Sequence, residues 1–135
     1  MTVRLECRYA TQEKSFGSGF YFGKSSGLNF GAGNDDVILT NSHVLEEGEE
    51  VPQDCDITWG NGVKTTVMFD QNAEIAQASF FEGFDAAFIT LNPDNVPNSV
   101  QTSVVEYAIC SIQPQIGDEI LILGYPRIGS AESIT

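Results

Sequence analysis

The chain has 135 residues, enough for one core that buries roughly 68% of the unfolded surface and too few for two complete domains. Hydrophobic residues make up 41% and charged residues 19%, with 13 glycines and 5 prolines, a turn-rich composition that excludes disordered and coiled-coil classes and points to an all-β fold. Nineteen acids against six bases give a net charge of -13, and the cations Arg4, Arg8, Lys14, Lys24, Lys64 and Arg127 are scattered, so nucleic acid and anionic membranes are excluded as partners and a basic or neutral polypeptide fits better.

Val3, Leu5, Cys7 and Tyr9 alternate with polar neighbours, which predicts a half-buried strand. Phe16 to Phe22 follows as an aromatic strand whose Gly17 and Gly19 admit a bulge or a close backbone neighbour. A glycine- and asparagine-rich loop leads to a third strand, Val37-Ile38-Leu39, running into Thr40-Asn41-Ser42-His43. Val44 to Glu47 allows one helical turn before Gly48 and Pro52 stop it.

The acids Glu46, Glu47, Glu49, Glu50, Asp54 and Asp56 read most simply as a solvated loop; their carboxylates are the ligand type of a calcium site, the lesser alternative, but their spacing matches no EF-hand pattern. Asp56 to Trp59 and Val63 to Phe69 form a predicted hairpin around Gly60-Asn61-Gly62. Two further strands are expected over Ala73 to Phe81 and, after Asp85, over Ala86 to Leu91. Asp85 is expected at the mouth of a buried strand, partly shielded from water. Asn92 to Ser99 reads as a linker. Val104 to Ile112 and Glu119 to Pro126 read as buried strands on either side of a turn at Pro114 to Asp118.

Cys7, Cys55 and Cys110 are odd in number and lack CxxC spacing, so they are expected as ordinary small apolar residues, with no disulfide framework and no zinc site. No apolar run is long enough to span a bilayer, and the first residues alternate instead of forming an export signal. With no signal and no paired cysteines, the compartment is left open, leaning to the cytoplasm.

His43 is the only histidine, and it stands at a strand end where it would face a cleft. Asp85 stands before another strand, and a carboxylate on one imidazole nitrogen leaves the other free to act as a base. Four segments surround these residues in order: Gly17-Ser18-Gly19-Phe20, Ile38 to Val44, Asp85 to Leu91, and Gly117-Asp118 to Gly124-Tyr125-Pro126. Together they resemble the trypsin-like serine peptidases, nearest their bacterial HtrA/Do-type branch, over roughly residues 15 to 135.

The resemblance implies a six-stranded antiparallel β-barrel over residues 1–92, a linker over 93–102 and the opening strands of a second barrel over 103–135. It places the general base at His43 and the acid of a Ser-His-Asp triad at Asp85, with Thr40 and Ser42 structural, no cofactor and no metal. Ala86 replaces the larger aliphatic residue usual after the acid, and no cysteine lies shortly before His43 to make the disulfide that brackets this loop in many relatives.

The nucleophile's Gly-x-Ser-Gly-Gly-like loop has no counterpart in these residues. Ser18 falls on the first-barrel strand, Ser130 has no glycine pair to build an oxyanion hole, and Cys110 reads as buried in a strand. The expectation is therefore a serine endopeptidase present as a part without its nucleophile and inactive by itself. Its partners would be a polypeptide substrate and either the missing C-terminal half or a second copy pairing at an open barrel edge. The alternative is a non-catalytic peptide-binding or assembly module that keeps the barrel and adds a peptide strand at that edge.

Overall fold

Strand alternation sets the centre of the sheet. β1 (Thr2–Arg8) buries Val3, Leu5 and Cys7 on one face and turns Arg4, Glu6 and Arg8 to the other. The structure, a computed structural model, describes residues 1–23, 36–46, 48, 50–69, 76–101 and 112–124.

β1 leads into β2 (Lys14–Phe22) through a turn closed by the Gln12 N–H on the Tyr9 carbonyl at 3.0 Å. β3 (Asp36–Thr40) and the one-turn helix α1 (Ser42–Leu45) follow, then β4 (Asp54–Thr58), β5 (Lys64–Met68), β6 (Ala76–Phe80) and β7 (Ala87–Leu91). A 3-10 turn (Pro93–Asn95) and a second helical turn, α2 (Asn98–Gln101), complete the elements of the described residues.

All seven strands belong to one curled antiparallel sheet in the order β5-β4-β1-β2-β3-β7-β6. The expected all-β class is what the chain forms. The count of six implied by the resemblance is not: the sheet has seven strands, because the two separate strands that the pattern predicts over Val63 to Phe69 and Ala73 to Phe81 both form, β5 pairing with β4 and β6 with β7, so the order has two ends. Those end strands are successive in the chain, and residues 70–75 between them lie outside the described set.

The β4–β5 hairpin forms where Asn61-Gly62 signals it. Gly62 has a φ of +86° and donates its N–H to the Trp59 carbonyl at 2.8 Å, a three-residue loop that needs a left-handed residue at its end. β1, β2, β3, β4, β5, β6 and β7 otherwise start and stop within a few residues of the hydrophobic pattern.

Three expectations are corrected. Cys7 and Cys55 stand directly opposite one another in the β1–β4 register and are joined in a disulfide; a separation of 48 residues hid a neighbourhood that only strand pairing creates. Cys110 lies outside the described residues. Asp54 and Asp56 belong to β4 and not to a solvated loop, because Arg8 on the paired strand lies 2.5 Å from the Asp54 carboxylate and 2.8 Å from that of Asp56. Glu119 to Gly124, expected as a buried strand, forms no ladder, and Ile120, Leu121 and Ile122 are 72%, 81% and 78% exposed. An apolar run becomes a strand only when a neighbour takes its backbone hydrogen bonds, and none does so among the described residues.

The core lies inside the curl. Trp59, Tyr21, Leu5, Ile38, Ile57 and Ile89 are fully buried, with the Tyr21 and Trp59 rings edge to face at 5.0 Å. Val96 and Val100, from the segment that reads as a linker, are buried in the same cluster, so that segment packs against the sheet's interior.

Candidate active site

The site is built where β3 ends. Thr40 donates its Oγ1 hydrogen to the Ser18 carbonyl at 2.8 Å, fixing the last residue of β3 against β2, and the chain then turns into α1. Val44 and Leu45 are buried on the inner side of that turn, which leaves His43 pointing out.

The turn is held from beneath. Tyr9 and Ser15, on either side of the β1–β2 hairpin, both donate to the Val44 carbonyl, at 2.8 and 2.5 Å. Gly17 lies against the same residue, and a Cβ there would sit 2.4 Å from Val44 Cγ2. Gly19 meets Ile38 in the same way, at 2.7 Å. The glycines of β2 therefore serve close approach, one of the two uses their sequence context suggests.

Asp85 comes to this turn from the other side of the sheet, on the loop before β7, which pairs with β3 in the register Thr40↔Ala87. Its Oδ2 lies 2.7 Å from His43 Nδ1, and its Oδ1 accepts from the His43 backbone N–H at 3.0 Å and from Ser42 Oγ at 2.7 Å. Asn41 Nδ2 donates to the Asp85 carbonyl at 2.9 Å. Three consecutive residues thus hold one aspartate.

These bonds depress the Asp85 carboxyl to about 2, with the Ser42 hydroxyl the largest cause, followed by the His43 backbone N–H and the His43 ring. An ionised Asp85 only accepts, so Nδ1 carries the proton and Nε2 is left facing outward as the basic nitrogen. Burial plays no stabilising part. The His43 and Asp85 side chains are 68% and 53% exposed, so the carboxylate is only half shielded from water.

A groove of about 610 Å3 opens beside Asp85, between the β2–β3 edge at Ser18, Gly19 and Thr40 and the extended segment at Leu121 to Leu123. Gly124 brings that segment onto β2, where a Cβ would lie 3.2 Å from Ser18 Oγ. The groove's lining is mixed, with Phe20, Leu39 and Leu121 to Leu123 beside Thr2, Asn41 and Asp85.

The two residues singled out in the sequence, His43 and Asp85, are brought together across 42 positions of chain. Ser18 is placed in β2, on the groove that Asp85 also lines, and Ser130 and Cys110 lie outside the described residues. The bonds from Asn41 and Ser42 to Asp85 were not foreseen, although two polar side chains directly before the histidine were the available signal. Tyr9 and Ser15 carried no signal, since their bond to Val44 spans 35 and 29 residues. Among the described residues no group of three His, Cys, Asp or Glu side chains is placed to hold a metal ion, and no helix is long and apolar enough to cross a membrane. No protein-family model, curated protein or solved structure matches the chain.

Proposed function

We propose that this chain carries the base and the acid of a serine endopeptidase of the trypsin-like kind, with the attacking serine supplied from outside these 135 residues. The observation that carries the reading is the Asp85 carboxylate bridging His43 Nδ1 and the His43 backbone N–H, on a rigid turn at the end of a strand. In peptide hydrolysis Nε2 of His43 would take the proton of the serine hydroxyl as it attacks the scissile carbonyl, then return it to the leaving amine, while ionised Asp85 stabilises the imidazolium between the two steps.

The sheet order supports the same reading. A six-stranded barrel with one strand interrupted midway would show β5 and β6 as the two ends of the order and as neighbours in the chain, which is their arrangement. The apolar residues exposed at Ile120 to Leu123 suit a surface against which a second barrel packs. The Cys7–Cys55 bond favours folding in an oxidising compartment, against the cytoplasmic leaning of the sequence.

A fluorophosphonate probe tests the proposal. The isolated 135-residue chain is expected to remain unlabelled, and the natural gene product that contains it is expected to be labelled in a way that His43→Ala abolishes. Labelling of the isolated chain, or labelling of the gene product that survives His43→Ala, would overturn the reading. The groove between β2, β3 and Leu121 to Leu123 favours a second reading, a module that binds an extended peptide along it without cutting it. A gene product that binds peptides and takes no probe decides for that reading.

A further inference from the structure

The start of α1 is built unusually for a helical turn. Asparagine and serine at such a position ordinarily turn their side chains back onto the first free backbone N–H groups. Here Asn41 occupies the N-cap by its backbone angles (φ -84°, ψ 146°) and makes no side-chain cap. Its amide goes instead to the Asp85 carbonyl, and the Ser42 hydroxyl goes to Asp85 Oδ1. Both polar side chains have been turned away from their own helix and onto the aspartate.

The reason lies in the exposure of the site. A carboxylate that is half in water turns about its terminal bond and exchanges its two oxygens freely, so a single contact with an imidazole does not fix its orientation. We infer that Ser42 is a positioning residue for His43: its hydroxyl and the His43 backbone N–H clamp Oδ1 of Asp85, so that Oδ2 stays directed at Nδ1 and the imidazole keeps its proton on that nitrogen. Ser42 is the only side chain besides His43 with a described bond to the carboxylate, and it reaches the imidazole only through Asp85.

The inference rests on the proposed base and acid pair, and the test separates the two. His43 is the sole histidine, so the ring nitrogens of the 15N-labelled 135-residue chain give one unambiguous pair of NMR signals, from which the ratio of Nδ1-protonated to Nε2-protonated imidazole is read at neutral pH. Ser42→Ala is expected to lower that ratio roughly two- to tenfold, the equivalent of one hydrogen bond, and Ser42→Thr to restore it. Trp59 fluorescence monitors the fold. Should Ser42→Ala disturb it, Ser42→Cys, which keeps the volume and offers only a weak donor, replaces it with the same expected fall. A folded Ser42→Ala or Ser42→Cys chain with the wild-type ratio overturns the role of Ser42, whereas a wild-type ratio in Asp85→Asn overturns the pair itself.

Discussion

Asp85 and Asp56 have both been driven to about 2, by different means. Asp56 is held chiefly by the Arg8 guanidinium, with 2.8 and 3.0 Å contacts to its two oxygens, and further by the Thr66 hydroxyl at 2.6 Å. Asp85 is held by neutral donors and an imidazole. In each case the folded value lies below the ordinary 3.8, so the unfolded chain binds protons more readily and folding is favoured above that value. The contribution is complete at neutral pH and is lost as pH falls from about 4 through about 2. Urea midpoints are expected to drop as pH falls from about 4 to about 2, with a smaller drop in Asp56→Asn. An equal drop in that variant would show that the Arg8 bridge has no part in acid stability. The position of His43 and Asp85 at strand ends was legible because a polar residue interrupting an apolar run marks such an end; the direction of Ser42 was not, since its target lies 43 residues away.

Between elements, the disulfide is the one covalent link among the described residues. It fastens β4 to β1 after the chain has made its excursion through β2, β3 and the histidine turn, and so closes 48 residues of chain. Closure of a loop of that length removes about 4 kcal/mol of unfolded-state entropy. Reducing the bond, or replacing both cysteines with serine, is therefore expected to lower unfolding free energy by about 2–4 kcal/mol in urea titrations, the lower end allowing for residual order in the unfolded chain. An unchanged midpoint would mean that β1 and β4 pair with equal strength without it. The β1–β4 pairing also explains why the acids of β4 are ordered: they face Arg8 across the same register that aligns the cysteines. The turns were readable beforehand, Gly62 above all, because turn chemistry is local.

Across the whole molecule, two kinds of isoleucine occur. Ile89 in β7 is fully buried, whereas Ile122 is 78% exposed on a segment with no ladder, although both lie in runs that read as buried strands. Ile89→Ala is expected to cost about 2–5 kcal/mol, and Ile122→Ser within about 0.5 kcal/mol, compared in the same urea titration. A comparable loss from Ile122→Ser would place that side chain in a core. The contrast separates what is folded around the His43 turn from the apolar surface beside it, which is where the proposed function requires a further domain to pack.

The amino-acid sequence by itself determined the strand class, most strand positions, the hairpin at Asn61-Gly62 and the candidacy of His43 and Asp85, because side-chain alternation and turn preference act between residues a few positions apart. Only the tertiary structure decided that Cys7 meets Cys55, that β5 and β6 lie at opposite ends of the sheet, and that Asn41, Ser42 and His43 converge on one aspartate. Those outcomes depend on the register between strands distant in the chain. A shift of one residue in that register would turn each of these side chains to the opposite face.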